Sequence, residues 1–130
     1  MKSRLILLYT CDRNFDQVLG EALLGIGAVI LIARNVGDAL QIVSRRRREL
    51  HLAVLDFTTD CRDMALLSAI QTCCEEVPTL VVASKDSEHA NAIAYANGAR
   101  LCLNKPLPAA MLANAIADLT TERTVGQAVA

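Results

Sequence analysis

Two short apolar runs in this chain end in opposite charges. Leu52-Ala53-Val54-Leu55 closes on Asp56, and Leu101-Cys102-Leu103 leads into Asn104-Lys105-Pro106. A carboxylate at the exit of one buried strand and an ammonium at the exit of another suggest a single charged site. Such a pair is the pattern of a phospho-acceptor site. The same residues have a plainer use: Asp56 can hold Lys105 in a structural ion pair and cap its loop through Thr58 or Thr59, with no phosphate arriving. A third candidate is Cys11, a thiol that leaves the run Leu5 to Tyr9 close to a helix start that would lower its pKa. A phosphatase-type loop built on that thiol needs an Arg six residues on, and position 17 is Gln17. A flavin-binding turn would be rich in Ser, Thr and Gly to cradle phosphate, whereas Thr10-Cys11-Asp12-Arg13-Asn14 offers one hydroxyl and no glycine.

The elements that must position these groups are legible from periodicity. Strands are expected at Leu5 to Tyr9, Ala28 to Ala33, Leu52 to Leu55, Thr79 to Ala83 and Leu101 to Leu103, several of them continuously apolar, as strands covered on both faces are. Between them the period becomes helical. Phe15, Val18, Leu19, Ala22 and Leu23 form one stripe; Val36, Ala39, Leu40 and Val43 a second; Leu66, Ala69, Ile70 and Cys73 a third. The fourth helix, from about Glu88 to Asn97, carries Ala90, Ile93 and Ala94, and the fifth carries Leu112, Ala115, Ile116 and Leu119. Asn35 is placed to cap the second helix, Gly98 to end the fourth in a left-handed conformation, and Pro78 to open the fourth strand. Five β-then-α units in succession predict an α/β fold with a parallel sheet, right-handed crossovers and helices on both faces. Ligands gather at the carboxyl ends of the strands of such a sheet, so the loops after Tyr9, Leu55, Ala83 and Leu103 are the ones that matter.

Composition bounds the rest. A chain of 130 residues, 53% hydrophobic, holds one well-buried core. We expect one domain over residues 1–119, followed over 120–130 by a tail or the start of a linker, where small and polar residues depart from the helical pattern. The formal net charge is −1, and the only dense basic run, Arg45 to Arg48, closes a helix in solvent, so no direct nucleic-acid surface is expected. No apolar stretch is long enough to span a bilayer, and Leu5 to Tyr9 is too short for a signal-peptide core, which predicts a cytoplasmic protein without a membrane partner. Five cysteines without C-x-x-C spacing, with His51 and His89 as the only histidines, support neither a disulfide framework nor a zinc site; most are expected to be buried reduced thiols.

With these residues in place, the chain up to about Leu119 resembles the receiver domain of two-component response regulators, the CheY-like family. The resemblance rests on Val54-Leu55-Asp56, on Asn104-Lys105-Pro106 after Asn97-Gly98-Ala99, and on the βα spacing between them. It implies a flavodoxin-like, doubly wound (βα)5 sheet with strand order 2-1-3-4-5. It implies phosphoryl transfer from a kinase histidine to Asp56, with magnesium neutralising the phosphoryl oxygens and Lys105 pairing with another of them. It also implies a cis Lys105-Pro106 bond, which aims the ammonium into the site.

The chain departs from the family at several positions. Counting back without gaps from Gly27 and from Leu19-Gly20-Glu21-Ala22-Leu23 places the pair of metal-binding acids at Thr10 and Cys11, and neither is a carboxylate. Magnesium wants hard oxygen ligands, so neither a thiol nor a threonine hydroxyl replaces a carboxylate. Asp12 is a possible substitute acid, one residue out of register. The hydroxyl expected at the end of the fourth strand falls on Ala83, with Ser84 as a possible substitute, and the switch aromatic of the fifth strand falls on Cys102. These losses point to a degenerate, pseudo-receiver module. It would act by protein-protein interaction rather than as an enzyme, with no cofactor and no metal, and with weak or absent magnesium-dependent phosphorylation. The alternative is an active receiver, phosphorylated on Asp56 by a histidine kinase with magnesium held partly by Asp12. By the same resemblance, the partner, a kinase, a downstream effector or a second copy, would meet the fourth helix, fifth strand and fifth helix around His89, Tyr95, Arg100 and Asn114.

Overall fold

The computed structural model describes residues 4–57, 61–83 and 88–129. Five strands, β1 (Arg4–Tyr9), β2 (Ala28–Ala33), β3 (Leu50–Asp56), β4 (Thr79–Ala83) and β5 (Leu101–Asn104), alternate with five helices, α1 (Arg13–Ala22), α2 (Val36–Arg46), α3 (Cys61–Cys73), α4 (Glu88–Ala96) and α5 (Ala109–Val129). All strand pairs are parallel, and the sheet order is β2-β1-β3-β4-β5, the doubly wound, flavodoxin-like order expected above.

The two-residue period of the strands splits the core into two layers. Leu5, Leu7, Ala53, Leu55 and Val81 face α2, α3 and α4, where Ala39, Val43, Leu66, Ile70 and Ala94 meet them. Ile6, Leu8, Leu52, Val54, Leu80 and Val82 face α1 and α5, against Phe15, Leu19, Leu112 and Ile116. The continuous apolar run of β3 is therefore two half-faces, one for each layer.

Asp12 and Asn35 cap α1 and α2, each accepting a backbone N–H in the first turn, and Gly98 follows α4 with φ +107°. The structure refines the stripes at several points. On α3, Leu66, Leu67 and Ile70 are buried, as is Cys74 just past its end, while Cys73 is exposed, because this helix packs against α2 as well as joining the core under the sheet, and its buried face is turned by one residue. Leu40 and Ile93 are partly exposed at the outer edges of their stripes. Among the described cysteine side chains, Cys74 and Cys102 are buried and Cys11 and Cys73 exposed. Helix α5 continues past Leu119 to Val129, with Thr120 buried and its hydroxyl donating to the Ile116 carbonyl at 2.9 Å. Small and polar residues do not themselves end a helix, and no proline interrupts this stretch. No described helix is long and apolar enough to cross a membrane.

Candidate functional site

Strand parity brings three groups to one place. In β1, Ile6 and Leu8 face the α1/α5 layer, so the next residue in step is Thr10; in β3, Leu52 and Val54 are followed by Asp56; in β5, Leu101 and Leu103 by Lys105. The side chains meet at the carboxyl edge of the sheet. Lys105 Nζ lies 2.9 Å from Asp56 Oδ1 and 3.0 Å from Oδ2. The Thr10 hydroxyl, fully buried, donates to Asp56 Oδ2 at 2.5 Å and accepts the Asp12 N–H at 3.0 Å. Asp56 itself is 5% exposed.

Asp12 joins the cluster from the start of α1. Its Oδ1 accepts the Asn14 N–H at 2.9 Å as the helix cap, and its Oδ2 lies 3.1 Å from Lys105 Nζ. Lys105 is thus held between two carboxylates, and its ammonium stands 5.2 Å from the centre of the Phe15 ring, within cation-π range. The hydrogen bond from Lys105, helped by the Asn14 and Phe15 amides, holds the Asp12 carboxyl below its usual pKa against the effect of burial. Burial works against the Lys105 ammonium, but the hydrogen bonds to Asp56 and Asp12 outweigh it and raise its pKa. The Lys105-Pro106 peptide bond is cis.

The other candidate residues are placed elsewhere. Cys11 turns outward and donates to the Arg34 carbonyl at 3.3 Å, away from Asp56. Ala83 ends β4 and accepts the Lys105 N–H through its carbonyl at 2.8 Å, its methyl offering no donor. Cys102 points into the opposite layer under α4, where burial pushes its thiol up to about 11. Ser84, Thr58 and Thr59 lie outside the described residues. His89 and Tyr95 of α4, Arg100 just before β5 and Asn114 of α5 are exposed, and the Tyr95 hydroxyl accepts the Cys102 N–H at 3.0 Å.

Three contributors were not read from sequence. Thr10 stands above only as a missing acid, whereas its parity with Ile6 and Leu8 aims it at Asp56. Phe15 was read only as core. Arg34, just past β2, bridges the start of α1 by holding the Thr10 carbonyl at 3.2 Å and pairing with Asp16.

A magnesium ion needs several hard oxygens arranged around an open position. Here the two carboxylates already share an ammonium, Thr10 supplies a hydroxyl committed to Asp56, and Cys11 points away. Among the described residues no three His, Cys, Asp or Glu side chains come together as a metal-binding group. Among the described residues, the side chains at this edge do not supply the set of hard oxygens the ion needs.

Comparison with solved structures gives a consistent picture of the fold. The chain superposes on a response regulator receiver domain from Clostridium thermocellum with a TM-score of 0.82 and 19% identity, over 94% of this chain and 98% of that one. It superposes on a CheY-like receiver domain protein from Methanospirillum hungatei with a TM-score of 0.83 and 20% identity, over 96% and 99% of the two chains. The signal receiver domain of an HD domain-containing protein from Pseudomonas fluorescens gives a TM-score of 0.84 and 21% identity, over 95% and 99%. At these identities the likeness is one of fold: the chain has the architecture of the CheY-like receiver. No protein-family model matches it, and no curated protein matches it in sequence.

Proposed function

We propose that this chain is a receiver-like signalling domain, degenerate at its metal site, that works by binding another protein rather than by magnesium-dependent phosphorylation. The observation that supports this reading is the engagement of Asp56 on both oxygens, by Lys105 and by Thr10, where a metal-dependent acceptor needs further carboxylates. A carboxylate held in this way is a structural member of the crevice, and its lone pairs are less available to an incoming phosphorus. The receiver-like body covers residues 1–119, the last turns of α5 beyond it lead into a tail or linker, and the setting is cytoplasmic. The partner is a histidine kinase or a downstream effector, met on the α4, β5 and α5 face.

A second reading keeps one observation in its favour: Asp12 reaches the same ammonium as Asp56, so two carboxylates do converge. An active receiver would use that pair. Magnesium titration followed by calorimetry or amide shifts separates the two. The degenerate reading expects no saturation below millimolar magnesium, and submillimolar affinity with labelling of Asp56 by acetyl phosphate would establish the active one.

A further inference from the structure

The sheet has two free edges, and they are finished differently. At β5 the strand is four residues long, the Tyr95 hydroxyl takes a backbone N–H, and the side-chain amides of Asn91 and Asn104 bond each other at 2.8 Å. At the other edge, β2 pairs only with β1, in an unbroken register from Arg4↔Ala28 to Tyr9↔Ala33. Its sequence, Ala28-Val29-Ile30-Leu31-Ile32-Ala33, has no charge, proline or bulge, and Val29 and Ile32 remain 47% and 45% exposed. Outer strands normally carry one of those protections because an apolar edge recruits another strand.

Above this edge runs an open groove of about 360 Å³, lined by Leu31 and Ile32 of β2 and by Asp38, Gln41, Ile42, Arg45 and Arg46 of α2. Leu31, in register with Leu7, turns its side chain into the groove, whereas that of Ile32, in register with Leu8, turns to the other face of the strand. Asp38 and Arg45 stand two turns apart on that one helix face. Neither belongs to an ion pair among the described residues, whereas the neighbouring Arg46 is held by Glu49 at 2.9 Å.

We propose that the β2 edge and the α2 groove form the seam of a homodimer, in which β2 pairs antiparallel with β2 of a second copy about a two-fold axis normal to the sheet. Such an axis keeps both α2 helices on one sheet face and sets them antiparallel. Each α2 packs over β1 and β2, so two strands paired at about 4.8 Å bring the helix axes to about 10 Å, the spacing of packed helices. An axis passing beside Gln41 and Ile42 sets Asp38 of each copy opposite Arg45 of the other, two equivalent ion pairs from a single sequence. That plus-and-minus arrangement about a centre is what a self-complementary interface requires, and it marks a second copy as the occupant rather than a chain of one charge. A net charge of −1 adds little repulsion between copies. The seam lies at the opposite edge from β5, so it is separate from the face assigned above to a signalling partner.

Sedimentation of the whole chain from micromolar to millimolar concentration tests this. The expected result is a concentration-dependent dimer that Ile32→Lys, a charge set in the edge strand, removes without altering the circular dichroism or the melting temperature of the dilute protein. Asp38→Lys and Arg45→Glu each set like charges opposite one another and weaken self-association by about tenfold. Mixing these two variants in equal amounts restores a heterodimer, since both mixed contacts again pair opposite charges. A monomer at every concentration overturns the proposal, whether the edge is then left bare or covered by another protein. A dimer that ignores Ile32→Lys, or variants that do not recover on mixing, overturns it as well.

Discussion

The crevice and the β2 edge lie in the same small sheet but dispose of their polar groups in opposite ways. In the crevice, Asp56 is answered by Lys105 and Thr10, and Lys105 by Asp56, Asp12 and Phe15. Among the described residues no buried side-chain nitrogen or oxygen lacks a partner. Along β2, apolar side chains face solvent, and on α2 Asp38 and Arg45 meet no opposite charge among the described residues. A ligand shifts an equilibrium only by binding one state better than another. On the function proposed above, a site satisfied from within gains little from an added phosphoryl group, while an edge left open gains from a protein laid against it. The contrast argues for a receiver fold in which binding surfaces outlast the chemistry.

Removing Lys105 should show how strongly the crevice depends on its internal partners. Lys105→Met leaves Asp56, 5% exposed, without its ammonium and should lower unfolding stability by about 2–4 kcal/mol in urea titration, the range allowing for the partial exposure of the lysine. Adding Asp56→Asn to that variant should return most of the loss, since breaking a buried pair costs more than removing it. If the single substitution is neutral, the cluster is not holding the crevice together. Thr10→Val comes next: it withdraws a donor from Asp56 and an acceptor from the Asp12 N–H while keeping the shape, and about 1–2 kcal/mol should be lost. By contrast, Ile32→Lys on the β2 edge should change the stability of the dilute monomer by less than about 0.5 kcal/mol, as exposed substitutions do. A large loss there would mean the edge is packed rather than open.

Protonation provides the mildest test. The folded pKa of Asp12 lies below its unfolded value of 3.8, so its stabilising contribution is present above that value and is lost as pH falls through the folded pKa. Asp12→Asn should therefore flatten the acid limb of a stability-pH curve below about pH 4 and leave neutral pH nearly unchanged apart from the small cost at the cap. An unaltered acid limb would show that Lys105 does not favour the ionised Asp12.

How far the sequence went depended on which physical signal each residue carries. The strands were legible because buried parallel strands are apolar throughout, and strand order followed from the family resemblance. β3 begins at Leu50 rather than Leu52 because His51 interrupts the apolar run while its Nδ1 accepts the Leu5 N–H at 3.2 Å. Position on α3 was missed by one residue because a helix touching both sheet and helix buries a wider face than a single stripe, which moved Cys74 inward and Cys73 outward. At the site, Asp56 and Lys105 were readable as strand exits. The Thr10 hydroxyl is legible only through its parity with Ile6 and Leu8, since a threonine at that place carries no chemical signature of its own. The reach of Asp12 to Lys105 depended on where the α1 cap places a carboxylate and how far a lysine stem extends, neither of which residue spacing encodes.

Whether phosphate chemistry at Asp56 controls the domain is read most directly from amide spectra. Wild-type protein with magnesium and either acetyl phosphate or a beryllofluoride mimic should show amide shifts confined to the immediate neighbours of Asp56, if any appear. Ala83 offers no side-chain donor to grip the group, and Cys102 lies in the opposite layer beneath α4. Shifts that spread from Asp56 to α4, β5 and α5 would contradict the account and establish a working phosphorylation switch.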